Sequence, residues 1–171
     1  VINKNIFSTE RHPYLTAKSD RGQKRCGMLF RVLHPNETIC PLGPESDSFN
    51  ALLIGNSHAD SIKEAVNNVV LNKGGALYLH AINRPLMDDR VDVSSVIRDV
   101  QRKKIKHVLI HFNYDFYNHD EYRENLWRLV RELNILSVKT AVISPVPVYS
   151  RPVPQMLFEC AVGNCVAKGL T

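Results

Sequence analysis

The chain has 171 residues, of which 44% are hydrophobic and 23% are charged, and its formal net charge is +5. These values are typical of one globular domain with a sizeable core. No apolar run approaches the length of about 20 residues that a membrane span needs. The polar start predicts no signal peptide, so we expect a cytosolic protein or a piece of a larger one. Nucleic acid is not an expected partner, because residues 102–104 form the one tight basic cluster.

Residues 1–48 are predicted to form an irregular lead-in or linker segment. Prolines and glycines recur in this part of the chain and break any long element, and they are Pro13, Gly22, Gly27, Pro35, Pro41, Gly43 and Pro44. Within the segment, residues 28–33 are expected to form a short strand.

The stretch around Ser57 combines a strand, a turn and a helix. An apolar run over residues 51–54 predicts a buried strand, which Gly55 ends. A helix with one apolar face is predicted to follow, and two glycines end it. The face is formed by Ile62, Ala65, Val66, Val69 and Val70, and the glycines are Gly74 and Gly75. Ser57 should therefore lie on the turn, beside free helix N–H groups, where a hydroxyl suits a nucleophile whose attack generates an oxyanion. The alternative is a serine that only caps the helix.

Strands and helices alternate from residue 49 onward. Further strands are predicted over residues 76–81, 107–112 and 140–143, with one helix that begins at Asp92 and another over residues 120–136. The alternation predicts an α/β fold, a three-layer sandwich in which helices cover both faces of a parallel sheet. Sites of such sheets lie beyond the carboxyl ends of the strands. Residues 55–58, 82–85 and 113–115 should therefore converge.

The four cysteines occur in two groups. Cys26 and Cys40 lie before the first main strand, and Cys160 and Cys165 lie near the end of the chain. Two pairs in a loop-rich context suit an oxidising compartment. A metal site is the rival interpretation and is not expected, because no Cys-x-x-Cys or His-x-x-His spacing occurs. Unpaired structural thiols are the remaining alternative.

Residues 53–59, with the sequence Leu-Ile-Gly-Asn-Ser-His-Ala, resemble the first motif of the SGNH hydrolase superfamily. That motif is usually Gly-Asp-Ser, so Asn56 stands where the family has aspartate, which changes the charge beside the nucleophile. The following His-Ala resembles the subgroup linked to membrane acyltransferases of the acyltransferase-3 type, which O-acetylate bacterial glycans. The resemblance implies an SGNH, flavodoxin-like domain over residues 49–171.

The resemblance also implies roles for residues at the strand ends. Ser57 would be the nucleophile, and the side-chain amide of Asn113 would donate to the oxyanion, unless it is an ordinary turn asparagine. The oxyanion glycine of the family should follow the second main strand, where Asn83 is the substitute in this chain. Arg84 would steer an anionic substrate or be a solvated surface arginine. Asn56 and His58 are further oxyanion or substrate candidates beside the nucleophile, with a structural role as the expected alternative for His58.

The family takes its base from an Asp-x-x-His motif near the C-terminus, and this chain contains no such motif. Four parallel strands are also predicted where the SGNH fold has five. We therefore expect the chain to stop short, with the base beyond Thr171. If the chain alone proves active, His111 is the first candidate for the base, because it shares a strand face with Asn113.

The function implied by the resemblance is that of the extracytoplasmic SGNH domain of a bacterial glycan O-acetyltransferase that works through a serine acyl-enzyme. The acceptor would be a carbohydrate of the polysaccharide or O-antigen type. No cofactor is expected, because a fused or associated transmembrane acyltransferase would supply the acyl group, ultimately from acetyl-CoA. The location would be the periplasm, attached to the inner membrane. A carbohydrate acetylesterase and a catalytically inactive glycan- or partner-binding module are the alternatives.

The acyltransferase-linked SGNH domains resemble this chain in a Cys-containing segment before the nucleophile motif. Together with the short separations, this predicts two disulfides, Cys26–Cys40 and Cys160–Cys165. The first would close a loop of about 15 residues, for which chain entropy gives ~3 kcal/mol of stabilisation. Peptide mapping without reduction should recover both linked pairs. Four free thiols would refute the pairing and weaken the periplasmic assignment.

Overall fold

The computed structural model describes residues 28–81 and 93–145, which lie within one compact unit of the chain. The helices are α1 (Met28–Leu33), α2 (Ser57–Asn72), α3 (Val93–Arg102), α4 (Tyr114–Tyr117) and α5 (Asp120–Ile135). The strands are β1 (Cys40–Pro41), β2 (Asn50–Gly55), β3 (Ala76–Ala81), β4 (Ile105–His111) and β5 (Lys139–Val142). None of the helices in these two ranges has the length and apolar character that crossing a bilayer requires.

The strands form one sheet in the order β1-β3-β2-β4-β5. The four main strands β2 to β5 run parallel, whereas β1 pairs antiparallel with β3. The predicted parallel sheet is therefore confirmed, with strand ends shifted by one or two residues. The sequence pattern does not predict β1, because two residues carry no periodicity. The register places Gly55 at the end of β2 directly beside His111 at the end of β4.

Apolar residues of β2 alternate between the two faces of the sheet. Leu52 and Ile54 belong to the core on the side of α3 and α5, and Ala51 and Leu53 belong to the core on the side of α2. The helices add Val93, Val96, Val100, Leu126, Leu129 and Leu133 to the first core, and Ala59 and Val70 to the second. Each fully buried Val or Leu stabilises the fold by about 1.5–3 kcal/mol. Helices thus lie on both faces, as the alternation of elements predicts.

Residues 28–33 form helix α1, so the strand predicted there is wrong. Methionine, leucine and arginine are good helix formers. The rings of Phe30 and His34, one turn apart, stack with 4.6 Å between their centroids. Both α1 and β1 lie in the segment predicted to be irregular, and the domain boundary at residue 48 stays a prediction.

Helix α2 is confirmed, but its buried face differs from the predicted one. Ala65 and Val69 are exposed. Val70 of the predicted face is buried, and Ile62 and Val66 are partly buried against the core. The buried residues that the pattern did not predict are Ala59, Lys63 and Asn67. The ammonium of Lys63 lies 2.7 Å from a carboxylate oxygen of Asp60, so its charge is paired while its stem packs like an apolar side chain. Nothing in the structure explains the burial of the Asn67 amide, which has no hydrogen-bond partner among the described residues.

A buried carboxylate joins the segment before β1 to helix α3. Asp99 accepts hydrogen bonds from the backbone N–H and the hydroxyl of Thr38, at 2.6 and 2.7 Å, and from the guanidinium of Arg102 at 2.7 Å. The carbonyl oxygen of Thr38 lies 2.7 Å from Nδ1 of His80 on β3. This network fixes the lead-in segment to both the helix layer and the sheet.

Asp99→Ala should lower the free energy of unfolding by about 3 kcal/mol, because it leaves the partly buried N–H and hydroxyl of Thr38 without their acceptor. Asp120→Ala is the matched control, since the Asp120 carboxylate is 83% exposed and pairs with Arg123 on the surface, where a pair contributes about 0–1 kcal/mol. Urea unfolding measures both changes. Equal losses for the two variants would contradict the structural role of Asp99.

Candidate active site

The turn after β2 holds a serine at the carboxyl edge of the sheet. Strand β2 ends at Gly55, Asn56 is the N-cap residue, and Ser57 is the first residue of α2. Ser57 is exposed. Since it lies in the first helical turn, its backbone N–H has no acceptor inside the helix. The predicted strand–turn–helix is therefore confirmed, whereas the role of Ser57 as a nucleophile stays a prediction.

The backbone of β2 comes very close to β4 at Gly55. A Cβ atom added there would lie 1.9 Å from the carbonyl oxygen of His111 and 2.6 Å from Cβ of Ala59. No side chain fits between these atoms, so the position requires glycine for reasons of space. The close approach brings the first turn of α2 beside the end of β4.

Two asparagine side chains join the ends of β2 and β4. Oδ1 of Asn56 accepts a hydrogen bond from the backbone N–H of His58 at 3.0 Å, which caps α2. Nδ2 of Asn56 donates to Oδ1 of Asn113 at 2.7 Å. Asn113 and Asn56 are both half-buried. The structure thus brings Asn113 to the turn that carries Ser57, although its role as an oxyanion donor stays a prediction.

Two histidine rings lie beside the same turn. The ring centroids of His58 and His111 are 5.7 Å apart, and the rings are tilted at 59°. His111 is buried, and its Nδ1 lies 3.4 Å from the carbonyl oxygen of Ile143, just after β5. The contact between the two rings has no signal in the sequence, because it depends on the register of β2 with β4. His111 therefore lies at the serine edge of the sheet.

The other predicted site residues are outside the described ranges. They are Asn83, Arg84, Cys26, Cys160 and Cys165. Cys40 is buried and disulfide-bonded, but both predicted pairings stay predictions, because no second cysteine is described. Within residues 28–81 and 93–145, no group of three or more His, Cys, Asp or Glu side chains could hold a metal ion.

A polar cavity of about 390 Å³ lies at the opposite, amino-terminal end of the strands, lined in part by Asn50, Tyr78 and Lys103. Glu45 accepts hydrogen bonds there from the Tyr78 hydroxyl and the Lys103 ammonium, both at 3.1 Å. The Lys103 hydrogen bond lowers the pKa of the Glu45 carboxyl, and burial, aided by that carboxylate, raises the pKa of Tyr78 to about 12. Burial of Tyr78 and the pairing among the three side chains account for these shifts, which therefore do not indicate a second catalytic centre.

The fold and the turn together define a class of protein. A mostly parallel sheet with helices on both faces carries a serine at a strand–turn–helix junction, and an asparagine amide from the next strand end reaches that junction. This arrangement is typical of α/β domains of the hydrolase type, in which such a turn exposes a serine nucleophile.

A comparison with protein families identifies the particular family. The family model described as "SGNH domain (fused to AT3 domains)" matches residues 25–168. The chain therefore belongs to this SGNH family, and the resemblance in its nucleophile motif is confirmed. Membership assigns the general chemistry of acyl transfer or ester hydrolysis in an acyltransferase-associated module. No curated protein matches the chain.

Gly55→Ala should lower the free energy of unfolding by about 1–3 kcal/mol or more, because the added methyl group has no space against the β4 backbone. Gly43→Ala is the matched control, since the nearest atom to its added Cβ is Cδ2 of Leu71 at 3.7 Å, an ordinary contact. Thermal unfolding should show a clear loss for Gly55→Ala alone. Equal transition temperatures for the two variants would contradict the close approach.

Proposed function

We propose that the chain is the extracytoplasmic SGNH domain of a bacterial glycan O-acetyltransferase. The observation that carries this proposal is the meeting of Asn56 and Asn113 at the turn that exposes Ser57. The proposed nucleophile Ser57, the free backbone N–H groups at the start of α2 and the side-chain amide of Asn113 are then all found at the turn between β2 and α2. Attack on an acyl group requires these three components, apart from the base.

The proposed reaction has two balanced steps. The hydroxyl oxygen of Ser57 attacks the acyl carbon, a base takes the hydroxyl proton, and the bond to the donor breaks as the serine ester forms. A sugar hydroxyl then attacks the ester carbon, loses its proton and releases Ser57. In both steps the oxyanion would accept hydrogen bonds from the backbone N–H of Ser57 and from Nδ2 of Asn113.

The family description supports the proposed donor, and the proposed location is inferred together with it. Its domains are described as fused to AT3 domains, which supports a membrane acyltransferase component as the source of the acetyl group, drawn ultimately from acetyl-CoA. The SGNH domain itself would need no resident cofactor, because the serine carries the acyl group. The acceptor would be a carbohydrate, and the compartment would be the periplasm at the inner membrane.

A carbohydrate acetylesterase is the second candidate function. Ser57 is exposed on the surface of the domain, so water could reach the ester as well as a sugar hydroxyl can. The two functions share the first step and differ in which nucleophile removes the acyl group. The products therefore distinguish them: an acetylated glycan for the transferase and free acetate for the esterase.

Ser57→Ala should abolish both covalent labelling by an active-site-directed serine reagent and acetyl transfer to glycan, with a loss in rate of several powers of ten. Ser61→Ala is the matched control, because Ser61 is an exposed serine one turn further along α2 whose hydroxyl donates to the carbonyl oxygen of His58. Mass spectrometry locates the label, and product analysis measures transfer. A Ser57→Ala protein that transfers acetyl at the normal rate would rule out the proposal. A parent protein that stays unlabelled and inactive when a C-terminal segment with the expected base histidine is present would favour a glycan-binding module.

A further inference from the structure

We propose that Asn56 is a positioning residue that fixes which end of the Asn113 amide faces the oxyanion. This inference rests on the proposed function, in which Asn113 is an oxyanion donor. It assigns to Asn56 a task beyond capping α2. The residue would act on the reaction through Asn113, without touching the substrate.

The orientation of both amides follows from one backbone group. The N–H of His58 can only donate, so the atom of Asn56 that lies 3.0 Å from it is an acceptor, Oδ1. The other end of the Asn56 amide, Nδ2, is then a donor and faces Asn113 at 2.7 Å. The Asn113 atom that meets it must accept, so that atom is Oδ1. The helix cap thus determines how the second amide is turned.

The other end of the Asn113 amide is Nδ2, which is a hydrogen-bond donor. With Oδ1 held by Asn56, both N–H bonds of Nδ2 point away from that contact, and the structure shows no hydrogen bond from Nδ2 to any described residue. A half-buried amide nitrogen whose donors are unused at the serine turn suits an oxyanion. If the Asn113 amide turned over, its carbonyl oxygen would take that place and repel the developing negative charge.

An aspartate at position 56 would not give this orientation. Both oxygens of a carboxylate accept hydrogen bonds, so the one that faced Asn113 would attract Nδ2 of Asn113 and repel Oδ1. The Asn113 amide would then use a donor to hold position 56. Because the family usually has aspartate at this place, the arrangement of amide to amide is a property of this chain.

A double-mutant cycle separates positioning from capping. Asn56→Ser keeps a good N-cap acceptor for α2, but its hydroxyl is one bond shorter than the amide and loses the contact with Asn113. Asn113→Ala should lower kcat for an activated acetyl ester by about 10²–10³-fold, and Asn56→Ser should lower it by about 10–10²-fold with little change in KM. In the Asn113→Ala background, Asn56→Ser should cause no further loss. An equal loss in both backgrounds would assign Asn56 to capping or folding and overturn the inference.

A measurement that needs no activity tests the same contact. Hydrogen exchange of the side-chain amides in ¹⁵N-asparagine-labelled protein, with peaks assigned from Asn56→Ser and Asn113→Ala, should show slower exchange at Asn56 than at Asn113. Faster exchange at Asn56 would refute the inference even if the protein is inactive. A parent protein that is unlabelled and inactive even with a C-terminal segment that carries the expected base histidine, but shows the expected exchange pattern, would instead refute the proposed function and leave the amide orientation established.

Discussion

The site depends on how closely the backbones of β2 and β4 approach each other at their carboxyl ends. At Gly55 the carbonyl oxygen of His111 occupies the space that a Cβ atom would need. This proximity lets the first turn of α2 begin beside the end of β4, so that Asn56 and Asn113 meet at 2.7 Å. Any side chain at position 55 would separate the strands, and a displacement of about 1 Å is enough to break a hydrogen bond. The contact between the asparagines is therefore a consequence of sheet packing.

The rigidity of this edge comes from the place of β2 in the sheet. Strand β2 lies between β3 and β4, and five of its six residues are buried. Functional groups at the end of such a strand are held more exactly than groups in a loop. Strand β5, in contrast, has one half-buried residue and three exposed ones. Ser57 and the two asparagines thus depend on the best-packed part of the described sheet.

The sequence predicts the parallel strands and the long helices because their apolar patterns are long and local. It misassigns residues 28–33, since six mostly apolar residues fit a buried strand as well as a short helix. It also predicts the buried face of α2 only in part, because Lys63 is buried through an ion pair with Asp60, and hydrophobic periodicity does not recognise paired charges. In both places the missing information is an interaction between particular side chains.

The sequence suggests which residues belong to the candidate site, but it does not predict the contacts between them. Ser57 has a local motif, and Asn113 has a defined position after a strand. The hydrogen bond from Asn56 to Asn113 joins residues that are 57 positions apart. It depends on the register of β2 with β4 and on the length of the loop after β4. A single sequence contains no pattern that predicts both the strand register and the loop conformation. The departure from Gly-Asp-Ser was the one signal that position 56 differs in this chain.

That departure has an electrostatic consequence for an acyl-enzyme mechanism. A carboxylate at the N-cap would make the same hydrogen bond to His58, but its negative charge would offset the positive end of the helix dipole. It would also repel an oxyanion at Ser57, since two like charges 4 Å apart interact by about 4 kcal/mol at an effective dielectric constant near 20. The neutral amide of Asn56 caps the helix without this repulsion. In the proposed mechanism, asparagine at position 56 therefore favours the developing oxyanion while it still caps α2.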